Sequence, residues 1–244
     1  MSLPRPEQKR EFVERMFDEI APRYDLVNRL MTFGIDRTWR RRAVEALHVG
    51  PGSRVIDLGC GTGDLVADVE RTGADAVGID LSGEMIAVGR RRLAGRSFVR
   101  GDAQCLPFPD ASFDGVVSGF ALRNFTSIPT AMQEAARVLR SGGRFALLEV
   151  NVPAWAPLRV LFNVYFTRVV PFIGRLFSRG FAYDYLAASV EYLPEFGRYR
   201  AILEDAGFVD VRRSTLLGGV AQLVTAERAP AAERGSTEPL AGAA

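Results

Sequence analysis

The sequence predicts an α/β fold built on a mostly parallel sheet, and three observations predict it. Short apolar runs alternate with stretches of helical period between residues 54 and 150. The first run opens into the glycine-rich turn Val55-Ile56-Asp57-Leu58-Gly59-Cys60-Gly61-Thr62-Gly63-Asp64. Acids or a glycine recur where the later runs end, at Asp80, Asp102 and Gly119. Strands that alternate with helices form parallel sheets covered on both faces.

In chain order, Phe12, Val13, Met16, Phe17 and Ile20 recur at the spacing of an amphipathic helix over 7–20. Pro22 opens a second helical segment, 24–33, which Gly34 ends, and Asp36 is placed to N-cap a third running to Leu47. Pro51-Gly52 turns into the first strand, 54–58. Further strands fall at 76–80, 97–101, 114–119 and 144–150, with helices at 63–72, 83–93 and 128–140. Gly142-Gly143 reads as the C-cap that closes the last of these helices. A helix at 198–206 and strands at 208–215 and 220–227 bring the strands to seven. The ending 229–244, rich in Ala, Pro, Glu and Gly, reads as a disordered tail on a single domain of residues 1–228.

One segment, 151–194, breaks the alternation. Leu158, Leu161, Phe162, Tyr165, Phe166 and Val169 share one helical face, with Arg159, Asn163 and Thr167 opposite. The segment reads either as a helix packed on the sheet edge or as a lid over a large apolar substrate, in contact with a membrane surface. Arg159, Arg168, Arg175 and Arg179 argue against a membrane span.

Composition narrows the functional classes. A net charge of +2 provides no field for nucleic acid, although of 31 basic residues only Lys9 is a lysine. Cys60 and Cys105 give neither a disulfide framework nor a metal set, so a reducing compartment is expected. The polar start and the absence of a long uncharged apolar run predict no signal peptide and no membrane span. The expected location is cytoplasmic, peripheral to the inner face of the membrane.

The glycine spacing selects the cofactor. Dinucleotide folds use G-x-G-x-x-G, but the position of their third glycine is here Asp64. A carboxylate at that helix start would repel a pyrophosphate. S-adenosylmethionine carries no phosphate and two cationic groups, so the turn favours it over NAD or FAD. Gly59, Gly61, Thr62 and Gly63 would let the backbone approach its methionine part, and Asp57 could reach the ammonium. Asp80, with Leu81 beside it, ends the second strand and suits the two ribose hydroxyls. Asp102 could accept from the adenine amino group while Ala103 leaves room for the ring. Gly119 ends the fourth strand, so the loop Phe120-Ala121-Leu122-Arg123-Asn124 faces the reacting methyl group. The only histidine, His48, falls just before the first strand, on the side of the sheet away from ligands, and reads as structural.

Three segments resemble the ubiquinone/menaquinone-biosynthesis C-methyltransferases. They are Phe17-Asp18-x-Ile20-Ala21-x-x-Tyr24-Asp25-x-x-Asn28 running into Met31-x-Phe33-Gly34-Ile35-Asp36-Arg37-x-Trp39-Arg40, then Phe120–Asn124, and Tyr185-Leu186-Ala187-x-Ser189-Val190 with Ala206-Gly207-Phe208. The resemblance runs from about residue 8 to residue 220. It implies a Rossmann-like class I methyltransferase fold with an antiparallel last strand. The implied reaction moves a methyl group to a ring carbon of a lipid-soluble prenylated quinol, with no metal. Arg123 and Asn124 would orient the quinol oxygen, the arginine stabilising developing phenolate charge. Tyr24, Asn28, Asp36 and Tyr185 are the candidate substrate-side residues, and a homodimer is compatible. Family members usually carry a histidine after Gly-x-x-Ala; Gly219-Val220-Ala221-Gln222-Leu223-Val224 has none. A soluble phenolic acceptor is the alternative substrate, and a cofactor-binding protein without activity the alternative class.

Overall fold

The computed structural model describes residues 4–177 and 181–230. The expected tail at 229–244 lies, beyond Pro230, outside the described residues. Seven strands form one sheet in the order β3-β2-β1-β4-β5-β7-β6. They are β1 Arg54–Leu58, β2 Asp75–Asp80, β3 Ser97–Arg100, β4 Phe113–Gly119, β5 Leu139–Val150, β6 Phe208–Leu216 and β7 Ala221–Arg228. The pairs from β3 through β5 are parallel, and β7 inserts antiparallel between β5 and β6. Val55, Ile56, Val116, Val117 and the run Phe145–Leu148 are buried, as two-sided coverage of a parallel sheet demands.

Helices α4 Asp64–Glu70, α5 Gly83–Arg92, α6 Ile128–Val138 and α10 Phe196–Asp205 cover the sheet. Each cap has a local cause. Gly63 takes the left-handed N-cap of α4 at φ 87°, Ser82 caps α5 by accepting from Met85 N, and Ser127 caps α6. The Gly142-Gly143 expectation is corrected: α6 ends at Val138, and both glycines lie inside β5. There the β4–β5 register shifts between Phe113 and Gly115, and Gly142 bends the strand at φ 73°.

Three helices precede the sheet: α1 Pro6–Ile20, α2 Tyr24–Thr32 and α3 Asp36–Leu47. Asp36 is the first residue of α3 rather than its cap, which is Ile35. After β5 come α7 Ala156–Val164, a π-turn Tyr165–Val169, α8 Val170–Phe177 and α9 Phe181–Ala188. Their buried side chains join α1 and α2 in a core separate from those of the sheet, with Val13, Met16, Val27, Val170 and Tyr185 among its members.

Candidate active site

The strand order reverses between β1 and β4, so the loops after those two strands lie side by side at the carboxyl edge of the sheet. Gly59, at φ 71°, is held there: a Cβ on it would sit 2.5 Å from the Ala121 Cβ. Gly59 N and Cys60 N both donate to the Ile79 carbonyl, at 2.8 and 3.0 Å. Gly61 N donates to Asp80 Oδ2 at 2.8 Å, and Ser82 N to Oδ1 at 2.9 Å. The glycine turn and the acid of β2 are therefore one hydrogen-bonded unit.

Gly59, Gly61, Asp80, Leu81, Asp102, Ala103 and Gly119 line a single trench along this edge. Asp57 is buried beside it, and neither carboxylate oxygen has a hydrogen-bond partner. Burial, then the charge of Asp80, push the Asp57 carboxyl well above the ordinary range. Asp102 Oδ1 accepts from Gln104 N and Nε2 at 2.9 and 3.0 Å, and Oδ2 from Arg10 Nε at 3.1 Å. An unpartnered buried carboxylate beside the trench calls for a cation, and Asp80 and Asp102 in its wall oppose a phosphate. The residues present therefore fit an adenosyl sulfonium amino acid.

Two expected cofactor residues sit differently. Thr62 is absent from the trench wall; it is buried, and its hydroxyl donates to Asp25 Oδ1 at 2.5 Å. Gly63 is also off the wall, and a Cβ on it would lie 2.5 Å from the Phe98 ring. Both fasten the turn from behind. Asp25 also pairs with Arg92 at 2.6 Å, so α2 is pinned to the turn and to α5.

A second cavity of about 430 Å³ lies between α1, α2 and the α7–α9 segment. Its walls are almost wholly apolar, with Met31, Leu158, Phe162, Tyr165, Phe166 and Leu186 prominent. Tyr24, Asn28, Arg123, Asn124 and Tyr185 reach it as polar exceptions. Phe17, Tyr24, Phe120 and Asn124 line both the trench and this cavity, so the two meet there. Phe120 holds a left-handed φ of 58°, an uncommon conformation for an aromatic residue, at that junction.

Asp36 does not reach the cavity, which corrects its expected substrate role. Its carboxylate accepts from Thr32 Oγ1 at 2.6 Å and pairs with Arg40. Arg40 continues to Asp68 at 2.9 Å and Asp64 at 3.2 Å. The Asp36-x-x-x-Arg40 spacing, one helical turn, thus fastens α3 to α4. His48 caps α3 in the left-handed region and lines neither cavity.

Sequence reasoning missed Glu149. It is fully buried near the end of β5, where its Oε1 accepts from Arg123 Nη1 and from Val150 N at 2.9 Å. Arg123 Nη1 also donates to the Phe120 carbonyl at 2.8 Å, while its Nε is buried without a partner. The one available signal was a lone acid in the apolar run Phe145–Val150. Tyr185 Oη donates to Asn124 Oδ1 at 3.4 Å. Burial raises the Tyr24 and Tyr185 phenols above their ordinary range, and the positive charge of Arg123 offsets part of the rise. Both phenols are therefore donors rather than bases.

The fold and its paired sites define a class I S-adenosylmethionine-dependent methyltransferase. Solved structures with this fold include a Thermotoga maritima SAM-dependent methyltransferase, at a TM-score of 0.63 and 16% identity over 88% of this chain and 99% of that one. A chain from the complex of the Haloferax volcanii Trm112 methyltransferase activator with a methyltransferase gives 0.65 at 21% identity, over 88% and 98%. The chain belongs to the ubiE/COQ5 methyltransferase family, which it matches over residues 5–228. The demethylmenaquinone methyltransferase of Thermus thermophilus is 45% identical over 87% of this chain and all of its own length. The ubiquinone/menaquinone biosynthesis C-methyltransferase of Geotalea daltonii is 37% identical over 91% of this chain and 98% of its own.

Proposed function

We propose that this methyltransferase C-methylates the ring of a prenylated quinol, a demethylmenaquinol or a close analogue. The observation that carries the reading is the apolar cavity of about 430 Å³ meeting the trench at Phe17, Tyr24, Phe120 and Asn124. A soluble phenol would leave those walls bare, whereas a prenyl chain covers them. The names of the relatives support the same substrate class.

S-adenosylmethionine, when bound, supplies an electrophilic methyl group on a cationic sulfur. Asp57 would hold its ammonium, Asp80 its ribose hydroxyls, and Asp102 with Ala103 its adenine. On the acceptor side, Arg123 offers its unpartnered Nε–H to the quinol oxygen while Glu149 holds the guanidinium still. A fixed positive charge there favours the phenolate, whose ring carbon is the stronger nucleophile. Asn124, oriented by the Tyr185 hydroxyl, and Tyr24 bracket the same oxygen. The ring carbon would take the methyl as the carbon–sulfur bond breaks to leave a neutral thioether, and the ring hydrogen would then leave as a proton to the oxygen that had become a carbonyl, restoring the aromatic ring. Phe17 and Phe120 keep water from the meeting point.

The test supplies labelled cofactor with prenylated and non-prenylated quinols. Transfer to the ring carbon of the prenylated acceptor, and accumulation of a demethylated quinone in a deletion strain, are expected. Preference for the bare phenol would overturn the reading in favour of a soluble acceptor.

A further inference from the structure

The ion pair between Arg123 and Glu149 is only half satisfied. Glu149 is fully buried, and its Oε1 serves two donors, Arg123 Nη1 and Val150 N. Its Oε2 is buried without a partner. A carboxylate oxygen taken out of water costs stability unless a donor meets it. Burial, then the charge of Glu149, raise the Tyr199 phenol, so Tyr199 of α10 stands near this carboxylate. Its hydroxyl, however, donates to Met132 Sδ at 3.4 Å.

The sheet register brings a second polar side chain to the same place. In the antiparallel pair β5–β7, Glu149 stands directly opposite Gln222. Side chains at opposed positions share one face of a sheet, with Cβ atoms about 5 Å apart. Phe145 and Leu147 on β5, and Val224 and Ala226 on β7, mark that face, for they pack in one core with Tyr199. Gln222 is half-buried, and its Oε1 is also buried without a partner. Two acceptors set opposite each other with no donor between them repel. A carboxamide carries an acceptor on one side and two donors on the other, and a half-turn about its last, soft torsion exchanges them. That half-turn removes the repulsion and gives Glu149 Oε2 an N–H.

We infer that Gln222 donates its amide to Glu149 Oε2 and so fixes, through Glu149, the direction of the Arg123 guanidinium. Gln222 is then a positioning residue for methyl transfer. A carboxylate held at one oxygen can rock about that contact. Held at both, it sets the plane in which Arg123 presents its unpartnered Nε–H to the acceptor oxygen. The polar row runs on to Thr215, which stands opposite Gln222 on the edge strand β6 and is exposed. The inference rests on the quinol reading for its consequence in catalysis and on the register of β5 and β7 for the contact.

The contact is read first, by NMR on the full chain with no acceptor present. The sequence has four glutamines, Gln8, Gln104, Gln133 and Gln222, so labelling glutamine alone with heavy nitrogen leaves few side-chain amide signals. The Gln222 signal, assigned by its loss in Gln222→Met, should exchange slowly with solvent. It should move in Glu149→Gln and stay in place in Thr215→Val. A signal that Glu149→Gln leaves in place would overturn the inference, and one that Thr215→Val moves instead would assign the amide to the sheet edge. In turnover of a prenylated quinol, Gln222→Met, of the same length without the amide, should lower kcat about tenfold and leave KM for the cofactor unchanged. Gln222→His, which keeps an N–H at similar reach, should recover most of the loss. A lower melting temperature with kcat at the wild-type value would mean a packing role alone and overturn the inference. In the Glu149→Gln background, Gln222→Met should cost no further activity; a full additional tenfold loss would mean that the two residues act separately, and the inference would fall. The Glu149-dependent signal in a chain that methylates no quinol would remove the substrate reading and leave the contact standing.

Discussion

The trench and the cavity meet at four residues but are built on opposite plans. The trench is made by strand ends, where glycines and carboxylates stand at short, fixed sequence spacings and backbone N–H groups hold the Asp80 carboxylate. The cavity is made by helices brought together from the N-terminal segment and from α7–α9 after β5, and its polar groups enter singly. A site whose geometry comes from one βαβ unit is constrained locally. A site made by helix packing can change its walls while the trench stays fixed. One methyl donor can in this way serve many acceptors.

Breaking the comparison at its hinge should give the largest effect. Arg123→Met should lower methyl transfer by about 10²–10³-fold while cofactor affinity, measured by calorimetry, holds. It also leaves Glu149 buried without its partner, a loss of about 3–5 kcal/mol in unfolding free energy. Arg123→Met combined with Glu149→Gln should recover most of that stability and none of the activity.

On the trench side, Asp57→Asn should weaken cofactor binding by about 10–100-fold, the loss of a charge-assisted contact, and leave quinol binding intact. The pH dependence has a definite sign. Burial raises the Asp57 pKa, and a bound cation favours the ionised form, so binding releases a proton near that pKa. Affinity in the wild type therefore falls as pH drops toward the raised value, and the Asn variant shows a flatter acid limb.

On the cavity side, Phe162→Ala should raise KM for a long-chain quinol roughly tenfold and leave short-chain turnover near wild type, since only the prenyl contacts are lost. Equal loss for both acceptors would mean that the helices act as a frame and not as a pocket.

An effect on stability alone, with none expected on activity, concerns the helix common to both sites. Lys9 of α1 is buried, donates to the Phe125 carbonyl at 2.8 Å and lies 3.9 Å from the centroid of the Tyr192 ring. Burial lowers its pKa to about 8. With the folded value below the unfolded one, the unfolded chain binds the extra proton between about pH 8 and 10.5, so this group adds stability as pH rises through that window. Lys9→Met should remove that slope, by at most about 3 kcal/mol across it, in paired melts at several pH values.

The two plans also decide what could be read from the sequence. Each strand follows from a short apolar run, so the strands were legible in chain order, while the caps and boundaries were not: Ile35 and not Asp36 precedes α3, and β5 begins at Leu139, five residues before its expected start. Gly142-Gly143 misled because a glycine pair after a helix looks the same whether it ends the helix or bends the next strand. Asp80 and Asp102 could be found because their strand-end positions are local facts. Asp36 and Thr62 sit in equally suggestive motifs, yet Asp36 pairs with Arg40 one turn along its own helix, and Thr62 meets Asp25, a contact that only the packing of α2 on the turn creates. Glu149 was hidden because its partner stands 26 positions away, on the loop after β4.

The π-turn at Tyr165–Val169 has a consequence of its own. A helix there carries one surplus residue, and everything after it is turned by about 100° from where an unbroken helix would place it. Val170 and Ile173 face the α1–α2 core because of that offset. Removing any one residue of the turn would act on α8 as a frameshift acts on a message. The side chains would keep their order and lose their direction, presenting a different row to α2 with no change in composition.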